Sequence, residues 1–253
     1  MEMERKPESH KGENGKVTVI GGSKDFTGAP ALSAQAALRT GCDLAKIVTS
    51  EEVSSVVASY SENLIVREYS SGYLGLSGVE NCIDAVRWCD VFVIGPGLGN
   101  PDSEAVGEIL ERTNKTAVVD ADAIKPALEA DLSNAVLTPH RGEAELIKDE
   151  YGSVESFVGE NEDIVVLVNG ETDRVYSDKG VEKVDAGHPG MTVGGTGDVL
   201  TGIVASLISQ DVSKREAAVK AAEINGEAGE EAAEEYGNSL LATDIIDLIP
   251  SVL

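Results

Sequence analysis

Short unbroken blocks of apolar and β-branched residues recur along this chain, and between them apolar positions return at helical spacing. KVTVI (16–20) is the first block and ends in Gly21-Gly22. APALSAQAALRTG (29–41) then reads as an alanine-rich helix stopped by glycine. DLAKIVT (43–49) and NLIVRE (63–68) read as strands, with a helix over 51–60 between them. GVENCIDAVRWC (78–89) reads as a helix leading into DVFVIG (90–95), which is apolar on both faces and so belongs inside a sheet. The alternation continues with a helix over 103–113, strand TAVVD (116–120), a short helix in DAIKPALEA, strand AVLTP (135–139), helix RGEAELIKDE and strand DIVVLV (163–168). RVYSD and VEKVD read as a hairpin turning at Lys179-Gly180. Two or three helices close the chain, from Thr196 to about Ser209, from Ser213 to Tyr236 and from Thr243 to Ile249.

Strands alternating with helices over this length imply an α/β three-layer sandwich, a central mainly parallel sheet with helices on both faces. No linker rich in Pro, Gly or Ser interrupts the pattern and no repeat is evident, so one domain is expected over 16–253 behind a polar lead, residues 1–15. No apolar stretch reaches the ~18 residues of a membrane span, and the first 16 residues hold no apolar signal core, which leads to a cytoplasmic expectation.

Charge changes the picture. With 45 acidic against 20 basic side chains the 253-residue chain carries −25, which excludes a nucleic-acid binder working through a basic surface. Glu223, Glu227, Glu230, Glu231, Glu234 and Glu235 stand in an alanine-rich stretch, and on a helix four pairs of them are like charges at i,i+4. Concentrated salt removes most of that repulsion, because the Debye length falls to about 3 Å at 1 M. The acid excess therefore points to a halophilic source. Cys42, Cys82 and Cys89 are odd in number and lack CxxC spacing, so they read as buried small apolar residues in a reducing compartment.

In open α/β sheets ligands bind beyond the carboxyl ends of the strands. Four strands here end in unusual segments: GGSKDFTGA, GPGLGN, DADAI and TPHRGE. GPGLGN misses a dinucleotide fingerprint because its third glycine position is Asn100, and there is no GxxxxGK[ST] phosphate loop. The strongest local signal is GHPGMTVGGTGDVLTGIVASL (187–207), in which four glycines within 188–197 run into an apolar helix with Asp198 at the junction. Such a junction offers unpaired backbone N–H groups and a positive helix end, which bind phosphate without Lys or Arg. Asp198 then stands where a carboxylate serves as general base; the plainer role is an acidic residue complementing the helix dipole.

GGTGD before a helix, after alternating βα units, resembles the ribokinase-like superfamily. TGAPALSAQAALRTGCDL (27–44), IGPGLGN (94–100), DADAI (120–124), TPHRGE (138–143) and GHPGMTVGGTGDVLTG (187–202) occur in the order seen in the NAD(P)H-hydrate dehydratase family, a nicotinamide-repair family often fused to an epimerase domain. The resemblance runs from about Lys16 to Pro250 and leaves no room for that second domain, implying a stand-alone dehydratase with a separate epimerase as functional partner. It implies that a nucleotide, ADP favoured over ATP, phosphorylates the hydroxyl of the S epimer of NADH or NADPH hydrate, after which phosphate leaves and the reduced cofactor is regenerated.

Carried onto this chain, the resemblance makes Asp198 the catalytic base and a substrate contact. It places Thr196 and Gly197 at the transferred phosphoryl, and Ala29, Gly97 and His140 at the hydrate. The segment Asn169, Gly170, Glu171, Thr172 and Asp173 becomes the nucleotide-binding turn, where Asn169 replaces the family's usual Lys; K⁺ is one substitute for the missing charge. Mg²⁺ is expected for phosphoryl transfer. Glu143 is its candidate partner through water, although TPHRGE equally fits a capped helix start, and Asp120 and Asp122 are assigned hydrogen-bonding roles. His188 stands where the family commonly has Asn and is read as a loop support. A homo-oligomer, with a tetramer as one form, is also implied. The alternatives are a small-molecule kinase of the same superfamily and a nucleotide-binding sensor without turnover.

Overall fold

In the computed structural model, which describes residues 8–130 and 132–253, the apolar blocks pair into one nine-stranded sheet. The strands are β1 (Lys16–Ile20), β2 (Leu44–Ser50), β3 (Ile65–Tyr69), β4 (Val91–Ile94), β5 (Thr116–Val119), β6 (Ala135–Leu137), β7 (Ile164–Val168), β8 (Asp173–Ser177) and β9 (Gly180–Val184), in the order β3-β2-β1-β4-β5-β6-β7-β8-β9. All pairs from β3 across to β7 are parallel, and the β8–β9 hairpin adds two antiparallel strands at the far edge.

The helices are α1 (Gly28–Arg39), α2 (Ser54–Ala58), α3 (Val79–Trp88), α4 (Ser103–Glu111), α5 (Ile124–Leu128), α6 (Arg141–Tyr151), α7 (Val154–Glu160), α8 (Thr196–Ser209), α9 (Lys214–Tyr236) and α10 (Ala242–Val252). Successive strand residues face opposite ways, which splits the core in two. Val17, Val93, Val118, Val136 and Leu167 pack with α1, α8, α9 and α10. Ile20, Phe92, Ile94, Val119 and Leu137 pack with α3, α4, α5 and α7 on the other face. The sheet between two helical layers is the expected α/β sandwich, and β4 is interior as its two-sided apolarity implied.

Two elements differ from the sequence reading. The helix expected over 51–60 is only the five residues of α2, because Glu51 and Glu52 lie in an exposed turn before it. A seven-residue helix, α7, was not anticipated. It is started by the Ser153 side chain accepting from the Ser156 N–H and buries only Val154, Phe157 and Val158, too short a stripe for a periodic signal. Cys42, Cys82 and Cys89 are all buried, and burial pushes Cys82 up to about 12.

Strand order reverses between β1 and β4: the chain steps outward through β2 and β3, then returns to start again at β4. The loops leaving β1 and β4 therefore diverge at a topological switch point, where α/β sheets open a crevice. They are held against each other by the Gly22 N–H donating to the Pro96 carbonyl at 2.8 Å. No helix among the described residues is long and apolar enough to cross a membrane.

Candidate active site

The site grows from the first turn of α8. Gly195 caps this helix with φ +100°, a left-handed conformation that glycine adopts freely. A Cβ there would also lie 2.6 Å from Leu32 Cδ1 and 3.0 Å from Ala242 Cβ, so backbone angle and space both exclude a side chain. The first hydrogen bond of the helix ladder is Val199 N–H to the Gly195 carbonyl at 3.1 Å. The amides of Thr196, Gly197 and Asp198 precede that ladder and supply an anion-binding helix end. Thr196 is held in place by its hydroxyl, which donates to the Met191 carbonyl at 3.0 Å.

These residues open onto a cleft of about 790 Å³. Around its rim the structure gathers Asp120, His140, Glu143, Asn169, Gly170, Glu171, Asp173, Thr196, Gly197 and Asp198. They come from the ends of β5, β6 and β7, the turn before β8, and the start of α8. Residues separated by more than seventy positions in sequence thus share one wall because their strands end on the same side of the sheet.

Asp198 is largely buried, and burial first, then the nearby Asp122 charge, raises its carboxyl to about 7. That places it near the pH at which a general base works. Asp120 is only 6% exposed and accepts from the Thr138 hydroxyl at 2.9 Å. Thr138 lies 3.2 Å from the Thr201 hydroxyl, and Thr201 donates to the Gly197 carbonyl at 2.9 Å, so the ends of β5 and β6 are wired to the first turn of α8. Burial, with the Asp198 charge next, raises Asp120 to about 8.

His140 and Glu143 form the capped helix start that the sequence left open. His140 Nδ1 accepts from the N–H groups of Gly142 at 2.8 Å and Glu143 at 3.2 Å, and Glu143 Oε2 accepts from the His140 N–H at 2.9 Å. The Asn169 N–H donates to the Pro139 carbonyl at 3.0 Å, and its Nδ2 lies 3.8 Å from where a Gly197 Cβ would stand. In the following turn the Gly170 N–H donates to Asp173 Oδ1 at 2.9 Å, and burial raises Asp173 to about 6. Thr172 turns its hydroxyl to Asp185 Oδ1 at 2.6 Å and does not line the cleft. His188 supports its loop by accepting at Nδ1 from the Gly190 N–H at 3.1 Å.

Ala29 and Gly97, by contrast, do not line this cleft; they meet each other at the switch point. A Cβ on Gly97, which has φ +66°, would lie 3.2 Å from Ala29 Cβ and 3.1 Å from Phe26 Cβ. Two residues further on, the Gly99 N–H donates to Asp122 Oδ2 at 2.7 Å, and Asp122 is the charge felt by Asp198. Through Asp122 the loop after β4 therefore acts electrostatically on Asp198 at the head of α8. Among the described residues no three His, Cys, Asp or Glu side chains are grouped to hold a metal.

One cleft residue escaped the sequence reading. Asn225 of α9 lines the wall and falls in register with buried Ala218, Ala221, Ala222 and Ala232. An amide on an otherwise apolar helical stripe was the readable signal.

A family profile described as NAD(P)H-hydrate dehydratase matches residues 17–251. The chain is 42% identical over 241 residues to an ADP-dependent (S)-NAD(P)H-hydrate dehydratase of Natrialba magadii, covering 95% of this chain and 93% of the relative. It is 38% identical over 267 residues to a bifunctional NAD(P)H-hydrate repair enzyme of Methanothermobacter thermautotrophicus, covering 98% of this chain and 51% of that one. In structure it is similar to the ADP/ATP-dependent NAD(P)H-hydrate dehydratase from Bacillus subtilis co-crystallized with ATP/Mg²⁺, with a TM-score of 0.81, 26% identity, and coverage of 98% of this chain and 92% of that one.

Proposed function

From the premise that this chain belongs to the NAD(P)H-hydrate dehydratase family, we propose that it is a nucleotide-dependent lyase of nicotinamide repair. It removes water from the S epimer of NADH or NADPH hydrate, with ADP as the favoured phosphoryl donor. What supports this reading is the gathering of Asp198, Thr196 and Gly197 at the start of α8 in one cleft with His140, Asn169 and Gly170.

In this reading the hydrate sits across Ala29, Gly97 and His140, and the nucleotide lies along Asn169–Asp173 with its terminal phosphate on the α8 amides. The Asp198 carboxylate takes the proton of the ring hydroxyl. The freed oxygen attacks the terminal phosphorus, the bond to the leaving AMP breaks, and the Thr196 and Gly197 N–H groups hold the charge that builds on the phosphoryl oxygens. The ring C–O bond of the resulting phosphate ester then breaks, phosphate leaves with the bonding electrons as the ring nitrogen donates its lone pair, and loss of a proton from the adjacent ring carbon restores the dihydronicotinamide.

Mg²⁺ fits this donor set: it is usually held by one or two carboxylates, waters and substrate phosphates rather than by an all-protein cage. Glu143, on the cleft wall, would hold it through water, and the ion would neutralise charge on the phosphates. The buried free thiols Cys82 and Cys89 support a reducing, cytoplasmic location. An epimerase activity would supply the S form.

The test is to incubate the protein in concentrated KCl with Mg²⁺, hydrated NADH and ADP or ATP, and to follow the absorbance of reduced nicotinamide. Its return supports the assignment. No return, together with stable phosphorylation of some other alcohol, overturns it in favour of a kinase.

A further inference from the structure

Asn225 is 7% exposed, and its Oδ1 is buried with no hydrogen-bond partner among the described residues. A buried acceptor left unpaired bears the full desolvation cost of the group, and native structures avoid it unless something else uses the atom. The neighbours on its helix stripe are alanines and glycines, so an apolar residue at 225 would be the better choice for folding alone. The side chain nevertheless lines the same cleft as Thr196, Gly197 and Asp198 at the start of α8.

The wall around it is apolar and nearly bare of side chains. Gly226 lets α9 approach the β9–α8 connection so closely that a Cβ there would lie 2.5 Å from Ala186 Cβ and 3.0 Å from the Ala186 carbonyl. Ala186, Gly187, Val193 and Leu200 complete this part of the lining. An apolar stretch of wall with a buried carboxamide suits a planar heterocycle carrying a polar edge, and a helix N-terminus in the same cleft suits phosphate. A nucleoside diphosphate has both. A carboxamide is complementary to adenine in particular: its oxygen accepts from the 6-amino group while its NH₂ donates to a ring nitrogen. On the N6/N7 edge that such an amide reads, a 6-oxopurine offers two acceptors, O6 and N7, and satisfies only one half of the amide.

We propose that Asn225 binds the base of the nucleotide and sets the preference for adenine over 6-oxopurines. The proposal rests on the reading that this cleft holds a nucleotide, and it adds a specificity-determining residue to that reading.

Calorimetric titration of the wild-type protein with ADP and with IDP, both with Mg²⁺ in KCl, tests it without any variant. ADP should bind at least about ten-fold more tightly, since a site built to hydrogen-bond one group rejects the analogue lacking it. Asn225→Leu should weaken ADP about ten-fold or more and leave IDP within about two-fold, raising KM for ADP while kcat at saturation stays near wild type. Equal wild-type affinity for the two nucleotides overturns the proposal, as does unchanged ADP binding in the variant. Return of reduced nicotinamide with IDP as readily as with ADP overturns only the base assignment. Absence of any nucleotide binding overturns both it and the dehydratase reading.

Discussion

The Ser33 hydroxyl donates to the main-chain carbonyl of Asp198 across 2.9 Å, tying α1 to the first turn of α8. The contact is possible because Gly202 removes a side chain where α8 crosses α1; a Cβ there would lie 2.9 Å from Ala36 Cβ. α1 begins beside Ala29 and α8 begins at the phosphate-binding amides, so one hydrogen bond and one glycine fix the two halves of the site relative to each other. Positioning of this kind is most of what a phosphoryl-transfer site must supply.

Removing the ionisable oxygen at the centre of this frame should separate chemistry from binding. Asp198→Asn is expected to retain ADP affinity within about three-fold while kcat falls by about 10³-fold, in line with loss of a general base. In the wild type the base must be ionised. With its carboxyl raised to about 7, kcat should climb as pH rises toward 7 and level off above it. Steady-state kinetics from pH 5.5 to 9 check both, and a fully active variant removes Asp198 from the mechanism.

Much of this frame was legible because its signals are local. The glycine run and the apolar period after it placed the start of α8 at Thr196, where the structure has it. Lys179-Gly180 gave the β8–β9 hairpin. Long-range contacts left less trace. Nothing local says that Asp120 is buried beneath Thr138, that Asp122 binds the Gly99 amide, or that Ser33 reaches Asp198. These arise from the order of strands in the sheet, which brings together loops distant in sequence. The capping box at His140 and Glu143 was one of two readings of TPHRGE, and only the observed hydrogen bonds establish that cap.

Asp120 should make stability depend on pH. Its carboxyl ionises near 3.8 as a free side chain and near 8 in the fold. Between those values the unfolded chain has released the proton and the native chain keeps it, so stability falls as pH rises from about 4 to about 8. Below 4 both states are protonated and the effect vanishes. Asp120→Asn cannot ionise. Its melting temperature relative to wild type should therefore be higher by roughly 3 °C or more at pH 8.5 than at pH 4. Parallel melting curves for the two proteins at both pH values test this, and an equal offset at the two removes the buried charge as the cause.

The acidic face of α9 bears on salt. Glu223, Glu227, Glu230, Glu231, Glu234 and Glu235 are all exposed on that helix. Four i,i+4 repulsions at about 0.2–0.5 kcal/mol each amount to a shift of roughly 2–8 °C in a chain of this size. The melting temperature should rise by at least that much between dilute buffer and molar KCl, where screening is nearly complete. A lower value in molar KCl would exclude adaptation to concentrated salt.

The same screening argument separates two accounts of Asn169, which lies beside Gly197 on the cleft wall where the family usually has Lys. Asn169→Lys places an ammonium near the nucleotide phosphates of a chain carrying −25. KM for ADP should fall about three- to ten-fold at ~0.1 M salt, where a point charge acts over about 10 Å. In molar KCl the gain should shrink to less than about two-fold, because the solution screens the added charge to about 3 Å. If K⁺ itself occupies the place of the missing ammonium, wild-type KM should also fall as KCl is raised and fall less with tetramethylammonium chloride at equal ionic strength. The variant should then lose that cation selectivity, since its own charge fills the position. A KM that responds identically to both salts assigns the effect to general screening and leaves Asn169 as a backbone support for the turn that follows it.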